Sequence, residues 1–346
     1  TLEGGLGNDV LVIVMNDGTS GDVMDGGADY DIVRVIANDG SGGTTIKDLR
    51  GVNFIDIEEV QFDNSATDNT LYVSGSELGN GLASNLVLDG RDNTGVTDTF
   101  TVFVNGQTMI DLSGYTFQDW VSGGDQNDRI RVFGDALAQT IRGTSEIDQL
   151  YGNNGNDTLH GGAGGDTLDG GANTDMADYL DSGAGVNVSL LTGFASGGDA
   201  TGDTLISIEG LSGSNHGDTL SGGNGAETLR GNDGDDILRG RAGADTMQGD
   251  GGTDTISYSD SNAAVNVSLA TGFASGGHAT GDVFTSIENI EGSGHADILS
   301  GDAGANVLTG NGGDDLLRGR AGADTLDGGD GADWANYSDS NAAVNV

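Results

Sequence analysis

Acidic residues recur every nine positions inside glycine-rich turns. Representative segments are GGAGGDTLD (161–169), GNDGDDILR (231–239) and GRAGADTLD (319–327), which follow the pattern G-G-x-G-x-D-x-U-x, where U is a large apolar residue. Glycine allows positive φ and close backbone approach, so several carbonyl oxygens can point into one turn beside the Asp carboxylate. Such oxygen ligands suit Ca²⁺, which takes about 6–8 of them, better than Zn²⁺, which prefers nitrogen and sulfur. The turns are therefore predicted calcium sites.

The sixth position of each nonapeptide supplies the candidate metal ligand. In the three regular arrays these positions hold, in chain order, Gln139, Asp148, Asp157, Asp166, Asp175, Asp218, Glu227, Asp236, Asp245, Asp254, Asp297, Asn306, Asp315, Asp324 and Asp333. Every carboxylate of that series is a predicted ligand. Asp9 and Asp31 are added from a weaker copy in residues 1–34, where Asp22 also fits if an insertion is allowed. The early sites are expected to be weaker, because the two amides lack a charge and the Glu has a longer side chain.

Large apolar residues keep the same nine-residue spacing, as Leu150, Leu159 and Leu168 illustrate. Each is predicted to lie in a three-residue strand and to point inward, with two nonapeptides in every coil. Outside the arrays, alternating apolar and polar residues in TLYVSG (70–75) and TFTVFV (99–104) predict further strands. A helical period is absent, so the sequence predicts an all-β fold.

A longer period of 79 residues relates Tyr179, Tyr258 and Tyr337, which are expected to pack where an array meets a spacer. The predicted organisation is the end of an N-terminal array (1–34), an irregular β region (35–133), arrays at 134–178, 213–257 and 292–336, spacers at 179–212 and 258–291, and the start of a third spacer (337–346). Because the repeat is interrupted at both ends, we expect the chain to be a window on a longer protein.

The charge of the chain limits its partners. It carries 55 acidic and 12 basic residues, a formal net charge of -43, which disfavours nucleic acid and anionic membrane surfaces. There is no Cys, so disulfides and thiolate metal sites are excluded. No apolar run approaches the roughly 18 residues of a membrane span. Carboxylates at this density repel one another, so folding is expected to depend on bound calcium.

These arrays resemble RTX repeats, the haemolysin-type calcium-binding nonapeptides. The resemblance covers residues 134–336 well and the first 34 residues more weakly. It implies a right-handed parallel β-roll or β-helix, in which the turn of one repeat faces the turn two repeats further on and calcium lies between them. It also implies export by a bacterial type I secretion system and folding on extracellular calcium.

Two functional interpretations follow. In the first, the chain is a calcium-binding structural segment of a larger secreted bacterial protein of adhesin, matrix-fibre or surface-layer type, and its candidate partners are copies of itself, a cell surface or a glycan. In the second, it is the non-catalytic calcium-binding region of a secreted protease, lipase or alginate epimerase whose catalytic domain lies outside this chain. The sequence contains no zinc motif and no evident nucleophile–base pair, so no catalytic residue is predicted.

The aromatic residues Tyr115, Phe117 and Trp120 stand in the irregular region. They are expected to lie in the core. The alternative is an exposed aromatic surface that binds a glycan or a partner protein.

Overall fold

The computed structural model describes residues 129–338 continuously and, before them, the segments 2–6, 10–15, 23–28, 32–37, 45–48, 53–55, 57–62, 69–74, 82–89 and 99–118. Two compact units divide the chain: an N-terminal unit, Thr1–Asp175, and a C-terminal unit, Met176–Val346. The described residues form 36 strands and two short 3₁₀ helices, so the all-β prediction is confirmed. None of these residues belongs to a helix long and apolar enough to cross a membrane.

The strands of the N-terminal unit are β1 (Leu2–Leu6), β2 (Val10–Met15), β3 (Val23–Ala28), β4 (Ile32–Ala37), β5 (Thr45–Asp48), β6 (Asn53–Ile55), β7 (Ile57–Phe62), β8 (Asn69–Ser74), β9 (Leu82–Asp89), β10 (Thr99–Phe103), β11 (Met109–Asp111), β12 (Thr116–Gln118), β13 (Arg129–Phe133), β14 (Thr140–Arg142), β15 (Asp148–Tyr151), β16 (Thr158–His160) and β17 (Thr167–Asp169). Within this unit they pair in the orders β1-β3-β6, β2-β4-β7-β9-β12, β5-β8-β10-β13-β15-β17 and β11-β14-β16.

The irregular region is itself a parallel solenoid with long coils. Val60 of β7 pairs with Leu88 of β9, and Phe100 of β10 pairs with Ile130 of β13, in parallel register. From β13 to β17 the coil shortens to two nonapeptides, as the pairing of Leu150 with Leu168 shows. The sequence predicted strands in this region, but it gave no sign that they stack in parallel like the repeats.

Tyr115 and Phe117 pack against other residues of this region and are not fully exposed to solvent. Tyr115 is 6% exposed, and Phe117 is half-buried beside Phe100, with ring centroids 6.3 Å apart. Burial raises the pKa of Tyr115 to about 12. The expectation of a core position is confirmed for Tyr115, Phe117 is packed but only half-buried, and Trp120 lies outside the described residues.

The strands of the C-terminal unit are β18 (Met176–Asp178), β19 (Asn187–Ser189), β20 (Phe194–Ser196), β21 (Thr204–Ile206), β22 (Gly210–Ser212), β23 (Thr219–Ser221), β24 (Thr228–Asp233), β25 (Ile237–Arg239), β26 (Thr246–Gly251), β27 (Thr255–Ser257), β28 (Asn266–Ser268), β29 (Phe273–Ser275), β30 (Val283–Thr285), β31 (Asn289–Glu291), β32 (Ile298–Ser300), β33 (Val307–Thr309), β34 (Leu316–Arg318), β35 (Thr325–Asp327) and β36 (Trp334–Ala335). The 3₁₀ helices are Gly198–Ala200 and Gly277–Ala279. Three sheets have the orders β18-β22-β24-β26-β30, β20-β19-β23-β25-β27-β31-β33-β35 and β29-β28-β32-β34-β36.

At the second spacer one sheet of the roll ends and a new sheet begins, while the other sheet continues. The first sheet ends at β30, whereas β28 and β29 form an antiparallel hairpin that starts the third sheet. The middle sheet runs through, because β27 pairs with β31 in parallel and Ile256 lies opposite Ile290. Successive arrays in this unit therefore share a continuous sheet.

In the three-residue strands of the repeats, the apolar core is formed by the central residue. The central residues of neighbouring strands lie opposite one another, as Leu229 does with Met247, and each is at most 1% exposed. The flanking residues of many of these strands are more exposed, as the residues beside Leu168 and Leu238 are. Tyr179 and Tyr258 are buried at the array–spacer junctions, as expected, whereas Tyr337 is 39% exposed.

Candidate metal centre

Alternate turns face each other along each row of coils. The backbone N–H of a sixth-position residue donates a hydrogen bond to a carboxylate oxygen 18 residues later. These pairs are Gln139 to Asp157 (2.8 Å), Asp148 to Asp166 (2.9 Å), Asp157 to Asp175 (2.7 Å), Asp218 to Asp236 (2.8 Å), Glu227 to Asp245 (2.9 Å), Asp236 to Asp254 (2.9 Å), Asp297 to Asp315 (2.7 Å), Asn306 to Asp324 (3.1 Å) and Asp315 to Asp333 (3.0 Å). The rows therefore join repeats i and i+2, as the resemblance implied.

Most of these carboxylates are buried, and several have an oxygen without a partner. Six of these side chains have a carboxylate oxygen that accepts no hydrogen bond from any residue that the structure describes: Asp157 Oδ2, Glu227 Oε2, Asp236 Oδ2, Asp245 Oδ2, Asp254 Oδ2 and Asp315 Oδ2. A buried ionised carboxylate without a counter-charge costs several kcal/mol. The side chains therefore fit a bound cation.

The pKa values of several of these aspartates are raised, as expected for buried carboxylates without a nearby positive charge. Burial, opposed by the backbone hydrogen bond and reinforced by neighbouring aspartates, raises the pKa of Asp236 to about 7. Burial raises the pKa of Asp245 to about 7, and those of Asp157 and Asp254 to about 6. It also raises the pKa of Asp315. These shifts mean that burial and neighbouring negative charges oppose ionisation of the turn carboxyl groups.

The first glycine of each nonapeptide opens space for the unpartnered oxygens. A Cβ on Gly152 would lie 2.5 Å from Asp157 Oδ2 and 2.6 Å from the carbonyl oxygen of Gly170, one coil further on. The carboxylate and the carbonyl therefore face the same space. Carboxylate and backbone carbonyl oxygens together form the ligand set that Ca²⁺ uses.

We call a pair of facing turns 18 residues apart a rung. Where position six is an amide, its side chain makes hydrogen bonds within the protein. Asn306 Nδ2 donates to the Glu288 carbonyl oxygen (2.8 Å) and to Asp302 Oδ1 (3.2 Å), while Asn306 Oδ1 accepts from the Asp302 N–H (2.9 Å). Gln139 bonds similarly to Asp135, through Nε2 (2.5 Å) and Oε1 (3.2 Å). An amide thus supplies the donor that a carboxylate lacks, and weaker calcium binding at these positions stays a prediction.

The first aspartate of an array is satisfied by a nearby hydroxyl residue. Asp218 Oδ2 accepts from the Ser214 N–H (2.6 Å), and Asp218 Oδ1 accepts from the Ser214 hydroxyl (2.9 Å). Asp297 has the same two bonds with Ser293, and Asp148 Oδ2 accepts from the N–H of Thr144 (2.7 Å). The sequence signal is Ser or Thr at position two of the nonapeptide, where the pattern has Gly.

Two acidic residues of the second spacer that continue the rows of hydrogen bonds were not predicted. The N–H of Asp245 donates to Asp282 Oδ1 (3.1 Å), and the N–H of Asp254 donates to Glu288 Oε2 (2.9 Å). Both acids therefore accept the backbone N–H that a sixth-position residue accepts between regular repeats. Their segments, DVFT (282–285) and ENIE (288–291), retain the acid-x-U-x ending of the repeat, which is the signal that could have found them.

The remaining predicted ligands vary in their surroundings. Asp166 and Asp175 are buried, whereas Asp324 and Asp333 are half-buried. Asp9, Asp22 and Asp31 lie outside the described residues. No cluster of three or more His, Cys, Asp or Glu side chains occurs within the described part of the chain. Each turn has a single sixth-position side chain, so any metal site here must draw on backbone oxygens.

Comparison with protein families agrees with this geometry. A model of four copies of the RTX calcium-binding nonapeptide repeat matches residues 111–132, 142–177, 221–256, 291–326 and 300–335. Residues 111–335 therefore contain RTX calcium-binding nonapeptide repeats. RTX repeats are calcium-binding regions typical of secreted proteins. No curated protein matches the chain.

Proposed function

We propose that this chain is a non-catalytic, calcium-binding structural segment of a larger secreted bacterial protein of adhesin, matrix-fibre or surface-layer type. Calcium would be held between facing turns by carboxylates such as Asp157, Asp236 and Asp315 together with backbone carbonyl oxygens. When bound, the ion supplies the positive charge that the turns lack. The repeating calcium-binding unit is then a rung, a pair of facing turns that calcium binding stabilises.

The observation that carries this proposal is the series of buried, unpartnered carboxylate oxygens. Each lies on a turn whose backbone is already bonded to the neighbouring coil, so no protein donor needs to move aside for an ion. Because a cation would bind the folded roll and not the unfolded chain, binding and folding are coupled. The carboxylates are spread one per turn along rows, which suits a stack of structural ions.

Secretion follows from this coupling. A chain that needs abundant calcium stays unfolded in a calcium-poor cytosol and folds after export, in keeping with the type I secretion of proteins with such repeats. The chain contains no Pro and no Cys, so neither slow prolyl isomerisation nor disulfide pairing delays folding outside the cell. We therefore propose an extracellular or cell-surface location, with copies of the protein, a cell surface or a glycan as partners.

Circular dichroism of the full chain tests the proposal. In excess EGTA we expect a largely disordered spectrum, and millimolar calcium should convert it to a β spectrum. Magnesium serves as the control, because its near-ideal octahedron fits carbonyl-lined turns poorly and it should not replace calcium. A β spectrum that is the same in EGTA and in calcium would refute the proposal.

A further inference from the structure

The second spacer presents two carboxylates to the rows of array aspartates, and their second oxygens differ. Asp282 Oδ1 accepts from the Asp245 N–H, and its Oδ2 accepts a hydrogen bond of 3.0 Å from the buried hydroxyl of Tyr258. Glu288 Oε2 accepts from the Asp254 N–H, and within the described residues its Oε1 accepts no hydrogen bond. Both carboxylate oxygens of Asp282 thus accept hydrogen bonds from the protein, whereas Glu288 has one oxygen available to bind another ligand.

Asp254 directs an unsatisfied oxygen toward the turn that carries Glu288. The Asp254 side chain is fully buried, and its Oδ2 has no hydrogen-bond partner among the described residues. A Cβ built on Gly249 would meet both this oxygen and the carbonyl oxygen of Ser286. The two oxygens therefore face the same space, as they do in turns between regular repeats.

The spacer turn has a defined backbone conformation. Ser286 has φ 54° and Ser207, at the equivalent place in the first spacer, has φ 50°. Left-handed φ is uncommon for Ser, so the same unusual turn occurs in both spacers. In the second spacer this turn comes two residues before Glu288, on the side that faces the array.

We infer that the spacer turn 286–288 and the array turn 249–254 together bind a divalent cation, Ca²⁺, through Asp254 Oδ2, the Ser286 carbonyl oxygen and the Glu288 carboxylate. This inference rests on the proposed function and extends it from the repeats into a spacer. Two carboxylates balance the charge of the ion, and the carbonyl is a hard oxygen ligand. Backbone carbonyls of the array turn and water would complete the coordination.

Such an ion would link successive arrays rather than stabilise one alone. Asp254 ends the array at 213–257, and Glu288 precedes β31, which continues the middle sheet toward the next array. The spacer then becomes part of the calcium-binding structure.

Calcium stoichiometry of the full chain tests this site, using Glu288→Gln with Asp282→Asn as the matched control. Both variants replace a spacer carboxylate that accepts an array N–H, and both keep an amide oxygen as acceptor. Equilibrium dialysis should give one fewer bound calcium per chain for Glu288→Gln and an unchanged number for Asp282→Asn. Circular dichroism at saturating calcium checks that each variant is folded.

An unchanged calcium number and midpoint in Glu288→Gln, or an equal loss in the control, would overturn the inference. If Glu288→Gln does not fold, Glu288→Asp decides the question: the shorter carboxylate should weaken calcium affinity, and unchanged affinity would overturn it. Failure of the wild-type chain to bind calcium would instead contradict the proposed function, so the two failures can be told apart.

Discussion

The backbone N–H of Asp297 donates a hydrogen bond of 2.7 Å to Oδ1 of Asp315. Asp315 in turn donates from its own N–H to Asp333, while its buried Oδ2 accepts no hydrogen bond from the described part of the chain. Asp315 therefore sits between two acidic turns. Asp324, in the other row, accepts from the N–H of the neutral Asn306.

This difference predicts unequal effects of two similar substitutions. Asp315→Ala should raise the calcium concentration needed for folding about tenfold more than Asp324→Ala, a difference of about 1.4 kcal/mol. The reason is that Asp315 serves a rung with acids on both sides, whereas Asp324 shares its rung with an amide. Calcium titrations followed by circular dichroism measure both midpoints. Equal midpoints, or a larger shift for Asp324→Ala, would mean that the rows do not determine calcium affinity.

The same reasoning ranks two aspartates of the preceding array. Asp236 lies between Asp218 and Asp254, whereas Asp245 lies between Glu227 and Asp282, whose second oxygen is held by a tyrosine. Asp236→Ala should therefore weaken calcium-induced folding more than Asp245→Ala. The two turns belong to one array and have similar burial, so their turn propensities should largely cancel. Reversed midpoints in the same titration would contradict the ranking.

Asn306 offers a gain-of-function test. Asn306→Asp removes the Nδ2 donor that now bonds the Glu288 carbonyl oxygen and puts a carboxylate in its place. We expect the variant to bind one more calcium per chain and to need more calcium before it folds, because the rung loses its metal-free hydrogen bonds. Equilibrium dialysis gives the number, and Asn311→Asp, at a turn position outside the sixth place, is the control. An unchanged calcium number in Asn306→Asp would contradict this prediction.

The tyrosine at the array–spacer junction should stabilise the roll independently of calcium. Tyr258→Phe deletes a buried hydroxyl that donates to Asp282, and the loss should cost about 1–3 kcal/mol. Thermal unfolding at saturating calcium measures the effect. Tyr337→Phe is the matched control, because Tyr337 has the equivalent repeat position but is 39% exposed. Equal melting temperatures for the two variants would contradict the role assigned to the hydroxyl.

The sequence predicted the arrays well because their signal is strictly periodic. Leu150 lies opposite Leu168 because two nonapeptides make one coil, so residues 18 positions apart occupy equivalent places in successive coils. Glu288 was missed because the spacer lengthens the coil and breaks that period, although the acid-x-U-x ending survives. The long coils through Val60 and Leu88 have no fixed period, so only their strands could be predicted. The hydroxyl partners of Asp218 and Asp297 depend on side-chain geometry that a nine-letter pattern does not specify.

The pKa values predict how acid changes the calcium-free chain. Burial raises the pKa of Asp236 to about 7 and that of Asp254 to about 6, above the value of an unfolded Asp, so the folded roll binds protons more tightly than the unfolded chain. Stability from these groups is complete below the unfolded pKa of about 4 and is lost as pH rises through about 6 to 7. In EGTA, lowering the pH from about 7.5 to about 5 should therefore increase β structure, and calcium affinity should fall over the same range because protons compete for the same oxygens. Circular dichroism in EGTA and calcium titrations at each pH measure the two effects, with Asp236→Asn as the control that should reduce the acid response. Calcium-free β content that stays constant or falls on acidification would contradict the assigned direction of the pKa shifts.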